Sequence, residues 1–229
     1  MLISIVVPAL NEESQIGNTI DALARLIGEK EIIVVDGGSE DRTVEIASSH
    51  GIRTLHCERG RGHQMHAGAV SATGDVLWFV HADTVPPVNA LQQIESALRN
   101  PRISAGNFGL TFDGVSQAAR LLTAVYPLLR FLGLCYGDSG IFVRRSVYEK
   151  IGGFRCLALF EDLDLLRRLR REGRFARLDC RIVTSSRRFE NRNFAGMWLH
   201  WTTLQILYWL GCPPNWLARW YVHARRRPV

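Results

Sequence analysis

In the first hundred residues of the chain, short and continuously apolar runs alternate with longer segments whose apolar residues recur at helical spacing. Continuous apolar runs are typical of strands in a parallel sheet, because helices cover both faces of such a sheet. The pattern therefore predicts a doubly wound α/β fold, with helices on both sides of a mostly parallel sheet and a ligand crevice at the carboxyl ends of the strands. The predicted strands are 3–7, 31–35, 52–56 and 75–80, and the predicted helices are 13–27, 41–49, 63–72 and 88–99.

After the first hundred residues the pattern is less regular. Strands are predicted over 105–112 and 140–144. A mostly apolar helix is predicted over 117–134, with a break near Pro127, and a further helix begins at Glu161. These elements would extend the sheet beyond its first four strands.

The C-terminal segment 193–218 contains no acidic residue, lysine or arginine, yet it carries four tryptophans. Its polar residues and the break at 213–214, a Pro-Pro pair, disfavour a membrane-spanning helix. The alternatives are a helix that packs on its own core or on a partner chain, as in a homodimer, and a helix that makes peripheral contact with a membrane. We therefore expect a main domain over 1–190 and a helical extension over 191–229.

Charge divides the chain into two unlike parts. Hydrophobic residues make up 47% of the 229 residues, as in folded globular proteins. Residues 1–164 carry 14 basic and 19 acidic side chains, whereas residues 165–229 carry 14 basic and three acidic ones. The basic part suits anionic lipid headgroups or phosphorylated substrates, or it forms a solvated arginine-rich surface. No nucleic-acid recognition motif accompanies this charge, so nucleic acid is not an expected partner.

Five cysteines without paired Cys-x-x-Cys spacing indicate reduced thiols rather than a zinc site or a disulfide framework. Residues 3–7 already have the pattern of a first strand, so no signal peptide is expected before them. Together these features favour a cytoplasmic protein, with the inner face of the membrane as the alternative location.

Acidic residues follow two of the predicted strands and open one of the predicted helices. Asp36 comes directly after the second strand and precedes Gly37 and Gly38, which let a ligand approach the backbone. Asp83 follows the fourth strand, and Asp162 lies at the start of a later helix. Carboxylates at one edge of a sheet can hold a metal-bound diphosphate and deprotonate an acceptor. Each motif alone is equally compatible with an ordinary strand-to-helix turn.

Four motifs in this order resemble those of the family 2 glycosyltransferases, which have the GT-A fold. They are Val-Pro-Ala-Leu-Asn-Glu-Glu at 7–13, Val-Val-Asp-Gly-Gly-Ser at 34–39, His-Ala-Asp at 81–83 and Glu-Asp at 161–162. The resemblance implies that a nucleotide-sugar donor, with a UDP-sugar favoured, binds at the tips of the first strands. Pro8, Asn11 and Glu12 would then line the nucleotide pocket. Asp36 would contact the uracil or the ribose, and Arg61 or the nearby Arg59 would contact the nucleotide.

The Asp-x-Asp motif of the family falls on His81-Ala82-Asp83 in this chain. Asp83 would ligate Mg²⁺ or Mn²⁺, hard cations that take oxygen ligands and bridge phosphates. His81 could reach a ribose hydroxyl, but it removes one negative charge from the motif, which predicts weaker metal binding. Asp138, shortly before the strand at 140–144, would accept a hydrogen bond from a sugar hydroxyl.

The Glu161-Asp162 pair resembles the catalytic acidic motif of the family. The resemblance implies an inverting transfer, a single displacement in which Asp162 takes the proton of the acceptor. Glu161 would orient the acceptor or support Asp162. A helix N-terminus favours an ionised carboxylate, so we expect Asp162 to be deprotonated at neutral pH without further tuning. The acceptor would be a small molecule or a lipid with a hydroxyl or carboxyl group.

Two other functions are compatible with the predicted fold. A non-catalytic, membrane-associated binding protein could retain it, because His81 interrupts the usual acidic pair. A sugar-nucleotide nucleotidyltransferase shares the α/β plan, but it would need a glycine-rich turn and a lysine after the first strand. The chain has Ala-Leu-Asn-Glu at 9–12, and its only lysines are Lys30 and Lys150.

Overall fold

The computed structural model describes residues 1–187 and 193–226, and the described residues contain one mixed, mostly parallel sheet of eight strands. The first four strands are Ile3–Ala9 (β1), Lys30–Asp36 (β2), Arg53–His56 (β3) and Val76–Phe79 (β4). They are parallel and lie in the order β3, β2, β1, β4. The predicted parallel half of the sheet is therefore confirmed.

The other half of the sheet contains Thr84–Val85 (β5), Ile103–Phe112 (β6), Phe142–Arg144 (β7) and Arg174–Thr184 (β8). Strand β7 runs antiparallel between β4 and β6, whereas β8 is parallel to β6 and pairs with β5 at the edge. The sequence pattern predicted neither β5 nor β8. In β8, Leu178 and Ile182 are buried while arginines occupy exposed positions, so the strand looks like part of a charged surface segment.

Helices cover both faces of the sheet, as predicted. They are Ile16–Ala24 (α1), Thr43–Ser49 (α2), Arg61–Ser71 (α3), Ala90–Leu98 (α4), Gln117–Phe131 (α5), Arg145–Lys150 (α6), Glu161–Leu169 (α7), Phe194–Trp209 (α8) and Pro214–Arg226 (α9). On one face, Ile20 of α1 and Leu91 of α4 join the hydrophobic cluster that contains Trp78. On the other face, Met65 of α3 and Leu165 of α7 belong to a second cluster.

Helix α5 was predicted to break near Pro127, but it continues through this residue to Phe131. Ser116 caps its N-terminus by accepting a backbone N–H at 3.2 Å. Leu122 and Tyr126 are buried on its inner face. This packing and the cap offset the backbone hydrogen bond that proline removes.

The C-terminal segment forms the two helices α8 and α9. Leu204 and Leu217 pack against Leu159, which lies just before α7, in a third and smaller hydrophobic cluster. None of the helices in the described ranges has the length and apolar character that crossing a bilayer requires. The division into a domain over 1–190 and an extension over 191–229 stays a prediction.

Candidate active site

The turns that follow β1 and β2 are linked to each other by hydrogen bonds. The Asn11 N–H donates to Ser39 Oγ, and the Glu40 N–H donates to Asn11 Oδ1, both at 2.9 Å. The Glu12 N–H donates to Thr43 Oγ1 at 2.7 Å. Asn11 has a φ of 53°, which asparagine tolerates better than most residues. The two turns thus form a preformed rim at the carboxyl ends of the strands.

Asp36 is almost completely buried at the end of β2, with 2% of its side chain exposed. Its carboxylate accepts hydrogen bonds from the N–H groups of Gly38 and Ser39 and lies 3.4 Å from His56 Nδ1. Burial raises the pKa of Asp36, but the hydrogen bonds from Ser39 and Gly38 outweigh it and hold the pKa below its usual value. Asp36 is therefore ionised and oriented by its own turn. Its contact with a nucleotide, like that of the buried Pro8 in β1, stays a prediction.

Arg187 connects the ends of three strands. Its guanidinium forms an ion pair with Glu12, in the turn after β1, and lies 3.6 Å from Asp83 Oδ2, after β4. Arg187 itself follows β8. One cation thus lies between two carboxylates at the carboxyl edge of the sheet, where the negative charge of a diphosphate would have to be balanced.

Asp83 is the predicted metal ligand, and the described part of the chain contains no group of three or more His, Cys, Asp or Glu side chains placed to hold an ion. Mg²⁺ in nucleotide sites commonly takes one or two carboxylates, while phosphate oxygens and water complete its shell. With Asp83 alone, phosphate oxygens and water would have to supply most of the ligands of a divalent cation, so the role of Asp83 as a metal ligand stays a prediction.

His81 brings the two acidic motifs together. Its Nδ1 lies 2.9 Å from Asp138 Oδ1, and a Cβ atom on Gly137 would lie 3.2 Å from its Nε2. The N–H of the same glycine donates to Asp162 Oδ2 at 2.7 Å. The motif after β4 and the motif that opens α7 thus meet around Gly137, where an added side chain would press on His81.

Glu161 and Asp162 are both buried in the first turn of α7. Arg61, the first residue of α3, donates from Nε to Glu161 Oε1 at 2.8 Å, so the predicted contact of Arg61 with the nucleotide stays a prediction. Burial and the charge of Glu161 raise the pKa of Asp162 to about 6, whereas Arg61 and the Gly137 N–H act in the opposite direction. With this pKa Asp162 is still mostly ionised at neutral pH, but burial and Glu161 raise its pKa above that of an ordinary aspartate, which the sequence did not indicate.

Phe160, immediately before this pair, has a φ of 63°. The left-handed region is rare for an aromatic residue and costs free energy unless the surroundings hold the residue there. The ring of Phe160 lies 4.9 Å from the ring of Tyr208 in α8, centroid to centroid. Helix α8 thus contacts the residue that sets the start of α7.

A cavity of about 400 Å³ opens beside Asp162. Residues of β6, α5, α8 and α9 form most of its walls, and most of them are apolar. In one wall, the Tyr136 hydroxyl donates to Gln205 Oε1 at 2.7 Å. The contact between Tyr136 and Gln205 could not be predicted from the sequence, because the two residues are 69 positions apart and only tertiary packing brings them together.

A curled, mostly parallel sheet with a carboxylate-lined site at its strand ends defines the GT-A class of glycosyltransferase folds. The sequence model of the family described as Glycosyl transferase family 2 matches residues 4–152. The chain therefore belongs to glycosyl transferase family 2. The matched region includes Asp36, His81 and Asp83 and ends before Asp162.

Several known proteins are similar to the chain, among them the following three. It is 27% identical over 190 residues to the probable glycosyltransferase YdaM of Bacillus subtilis strain 168, which covers 71% of this chain and 45% of that protein. A mannosyltransferase of Pyrobaculum calidifontis in complex with GDP-Man and Mn²⁺ has a TM-score of 0.66 at 18% identity, over 85% of this chain and 59% of that one. Glucosyl-3-phosphoglycerate synthase of Mycobacterium tuberculosis, in complex with Mn²⁺, UDP and glucosyl-3-phosphoglycerate, has a TM-score of 0.58 at 21% identity, over 86% of this chain and 74% of that one. These two structures show the fold, and the chain spans less than half the length of the curated relatives that it first matches.

Proposed function

We propose that the chain is an inverting glycosyltransferase of the hexosyltransferase type. It would move a sugar from a nucleotide diphosphate sugar, with a UDP-sugar favoured, to a hydroxyl or carboxyl group of an acceptor. The observation that carries this proposal is the buried Asp162, whose pKa is raised to about 6 and which lies next to the His81 motif around Gly137. A carboxylate with this pKa is mostly ionised at neutral pH and is a stronger base than an ordinary aspartate.

The donor would bind at the rim formed by the turns after β1 and β2. Pro8, Asn11 and Glu12 would line the nucleotide pocket, and Asp36 would face the base or the ribose. Fold neighbours solved with GDP-Man or UDP and with Mn²⁺ support a nucleotide-sugar donor and a divalent cation. A cation held by Asp83 would supply charge neutralisation for the leaving diphosphate.

The proposed reaction is a single displacement. The acceptor oxygen attacks the anomeric carbon, the bond from that carbon to the diphosphate oxygen breaks, and its electron pair leaves with the diphosphate. Asp162 accepts the proton of the acceptor as the new bond forms. Glu161, held by Arg61, keeps the pKa of this base raised, and Arg187 lies where it can balance charge beside Asp83.

We also retain peripheral membrane contact and a homodimer as predictions. Large apolar side chains are exposed on α8, just after it and on α9, among them Trp209 (58%), Leu210 (77%) and Trp216 (44%). Such a surface suits a lipid interface or a second copy of the chain. Flotation with anionic vesicles tests the first prediction, and sedimentation of the free protein tests the second.

A non-catalytic binding protein is the alternative that must be separated from an enzyme by experiment. Calorimetry with UDP should give binding that strengthens with Mn²⁺, whereas Mn²⁺ without nucleotide should bind weakly. A panel of UDP- and GDP-sugars should then contain a donor that the protein hydrolyses or transfers. UDP binding without turnover of any donor would favour the binding protein.

The substitution Asp162→Asn makes this test specific. We expect it to retain UDP binding and to lose turnover by about 10²-fold or more, because it removes the base. The matched control is Asp179→Asn in β8, an exposed aspartate outside the site, which should keep full activity. Full activity of Asp162→Asn would refute the proposed role of this residue.

A further inference from the structure

We propose that the acceptor is a neutral alcohol with an apolar body, and that it binds in the cavity beside Asp162. This inference rests on the proposed glycosyl transfer and deepens it, because it chooses between a hydroxyl and a carboxyl acceptor. It is carried by the shape of the cavity, by one unpaired polar group in its wall and by the charges at its inner end.

The walls of the cavity are suited to an apolar ligand. Its volume of about 400 Å³ lies within the range of about 300–1,000 Å³ that is usual for small-molecule sites. Leu122 and Leu129 of α5 line one side, and Trp198 and Trp201 of α8 line another. Asp162 lines the same cavity, so a ligand inside it can reach the proposed base.

Gln205 gives the cavity a polar group that lacks a protein partner. Its residue is 8% exposed, and its Oε1 accepts the hydrogen bond from Tyr136. Its Nε2 is buried and has no hydrogen-bond partner among the described residues. A buried donor without a partner costs about 1–3 kcal/mol, so this site favours a ligand that brings an acceptor oxygen. If the Gln205 amide is flipped, its oxygen becomes the atom without a partner, and a ligand hydroxyl can satisfy it by donating a hydrogen bond.

The charges at the inner end disfavour an anionic acceptor. Among the described lining residues, the charged groups are Arg61, Asp138 and Asp162. Arg61 is paired with Glu161 and Asp138 with His81, so the two acidic residues of the cavity wall lie beside a single guanidinium that is already engaged. A carboxylate or phosphate brought here would be repelled and would compete for a cation that is already paired. A hydroxyl group adds no charge, and it can offer its oxygen to the amide of Gln205 and its proton to Asp162.

The test uses two probes with the same apolar body, 4-phenylbutan-1-ol and 4-phenylbutanoate, on the whole protein with UDP and Mn²⁺ present. Binding is followed by tryptophan fluorescence, because Trp198 and Trp201 line the cavity. Transfer is followed by the appearance of the glycoside from whichever donor the protein turns over. We expect the alcohol to bind at least about tenfold more tightly than the carboxylate and to be glycosylated.

Two substitutions on one helix test the location. Leu129→Trp fills the cavity and should weaken alcohol binding at least about tenfold, while UDP binding is retained. Leu128→Trp, the neighbouring position with 59% exposure and no place in the cavity wall, should change none of these. If Leu129→Trp does not fold, Trp201→Ala replaces it, and the enlarged cavity should then prefer a longer alcohol.

The outcomes separate this inference from the function on which it rests. Donor hydrolysis together with tighter binding of the carboxylate, or with transfer only to polar glycosides, overturns the neutral alcohol and leaves the glycosyltransferase standing. Failure to bind UDP or GDP and to turn over any donor of the panel overturns the transferase and, with it, the acceptor role of any alcohol that binds. Equal effects of Leu128→Trp and Leu129→Trp overturn the location.

Discussion

At the scale of single residues, the burial of Asp162 sets the pH range in which this residue can act as a base. Its pKa is raised to about 6, so the ionised fraction of this base falls as the pH drops below that value. We expect kcat to fall about tenfold per pH unit below pH 6 and to level off above it. In Glu161→Gln, the loss of a neighbouring negative charge should lower the pKa of Asp162 and move the acidic limb to lower pH. A kcat that is independent of pH between 5 and 8 would contradict this assignment.

The pH dependence of the folding stability tests the raised pKa of Asp162 independently of catalysis. The folded pKa of Asp162 lies above the ordinary value, so the folded state favours the protonated form, and stability falls as the pH rises from about 4 through 6. At neutral pH the ionised group costs up to about 3 kcal/mol. Asp162→Asn keeps an oxygen acceptor for the Gly137 N–H, so its Tm at pH 8 should equal or exceed that of the wild type, and the difference should shrink at pH 5. A Tm several degrees lower at pH 8 would indicate that the carboxylate stabilises the fold instead.

The sequence predicts where the acidic residues lie but not what they contact. Asp36 and Asp83 follow apolar runs, and parallel strands carry such residues to one edge of a sheet. The partner of His81 could not be predicted, because Asp138 belongs to a turn more than fifty residues away whose position depends on tertiary packing. The raised pKa of Asp162 was missed for the same reason, since burial is not a property of a motif.

At the scale of elements, α3 is fixed against the sheet by close backbone contact at Gly68. A Cβ atom there would lie 2.4 Å from Val6 Cγ1 and 2.9 Å from Val35 Cγ2, so an added methyl group would push α3 away from β1 and β2. We expect Gly68→Ala to lower the free energy of unfolding by about 1–3 kcal/mol, measured by urea denaturation. It should also weaken catalysis, because α3 begins at Arg61, the partner of Glu161.

Gly17 provides a matched control within α1. A Cβ atom there would meet Ile46 Cγ2 at 3.5 Å, which is an ordinary contact. Alanine is the better helix former, so Gly17→Ala should raise the free energy of unfolding by up to about 1 kcal/mol. Changes of the same sign at Gly17 and Gly68 would show that helix propensity, and not the contact with the sheet, decides the effect at Gly68.

Elements were predictable where one physical signal dominated. Strand β1 is apolar throughout because both of its faces are covered. Strand β8 is buried only at scattered positions, and its arginines gave it the character of a charged surface segment. Pro127 predicts a break in α5, but the packing of the helix against the core outweighs this effect. Such packing cannot be read from the local sequence.

At the scale of the whole molecule, the excess of arginine in the last third of the chain is partly used within the fold. Arg168 donates from Nε to Asp164 at 2.8 Å, and the guanidinium of Arg177 lies 5.8 Å from the centroid of the Phe131 ring. Arg187 is paired at the carboxyl edge of the sheet. Net charge along a sequence therefore does not distinguish an anion-binding surface from arginines that connect elements.

The helices α8 and α9 depend on a small hydrophobic cluster that is separate from the two clusters of the sheet. Leu217 is fully buried in it, next to Leu204 and Leu159. Since few apolar contacts hold this layer, we expect it to open locally before the sheet does. Hydrogen exchange should therefore show faster amide exchange in α8 and α9 than in β1.

Leu217→Ala tests this arrangement. Truncation of a buried leucine costs about 2–5 kcal/mol. Here we expect it to lower the free energy of local opening of α8 and α9. Their amide exchange should accelerate while that of β1 stays the same, and donor hydrolysis should persist while binding of the phenylbutanol probe weakens. Leu210→Ala, at a position that is 77% exposed, is the matched control and should leave exchange unchanged. An equal acceleration in β1 and α8 would instead mean that the C-terminal helices unfold only together with the sheet, so that the cavity wall is as stable as the donor site.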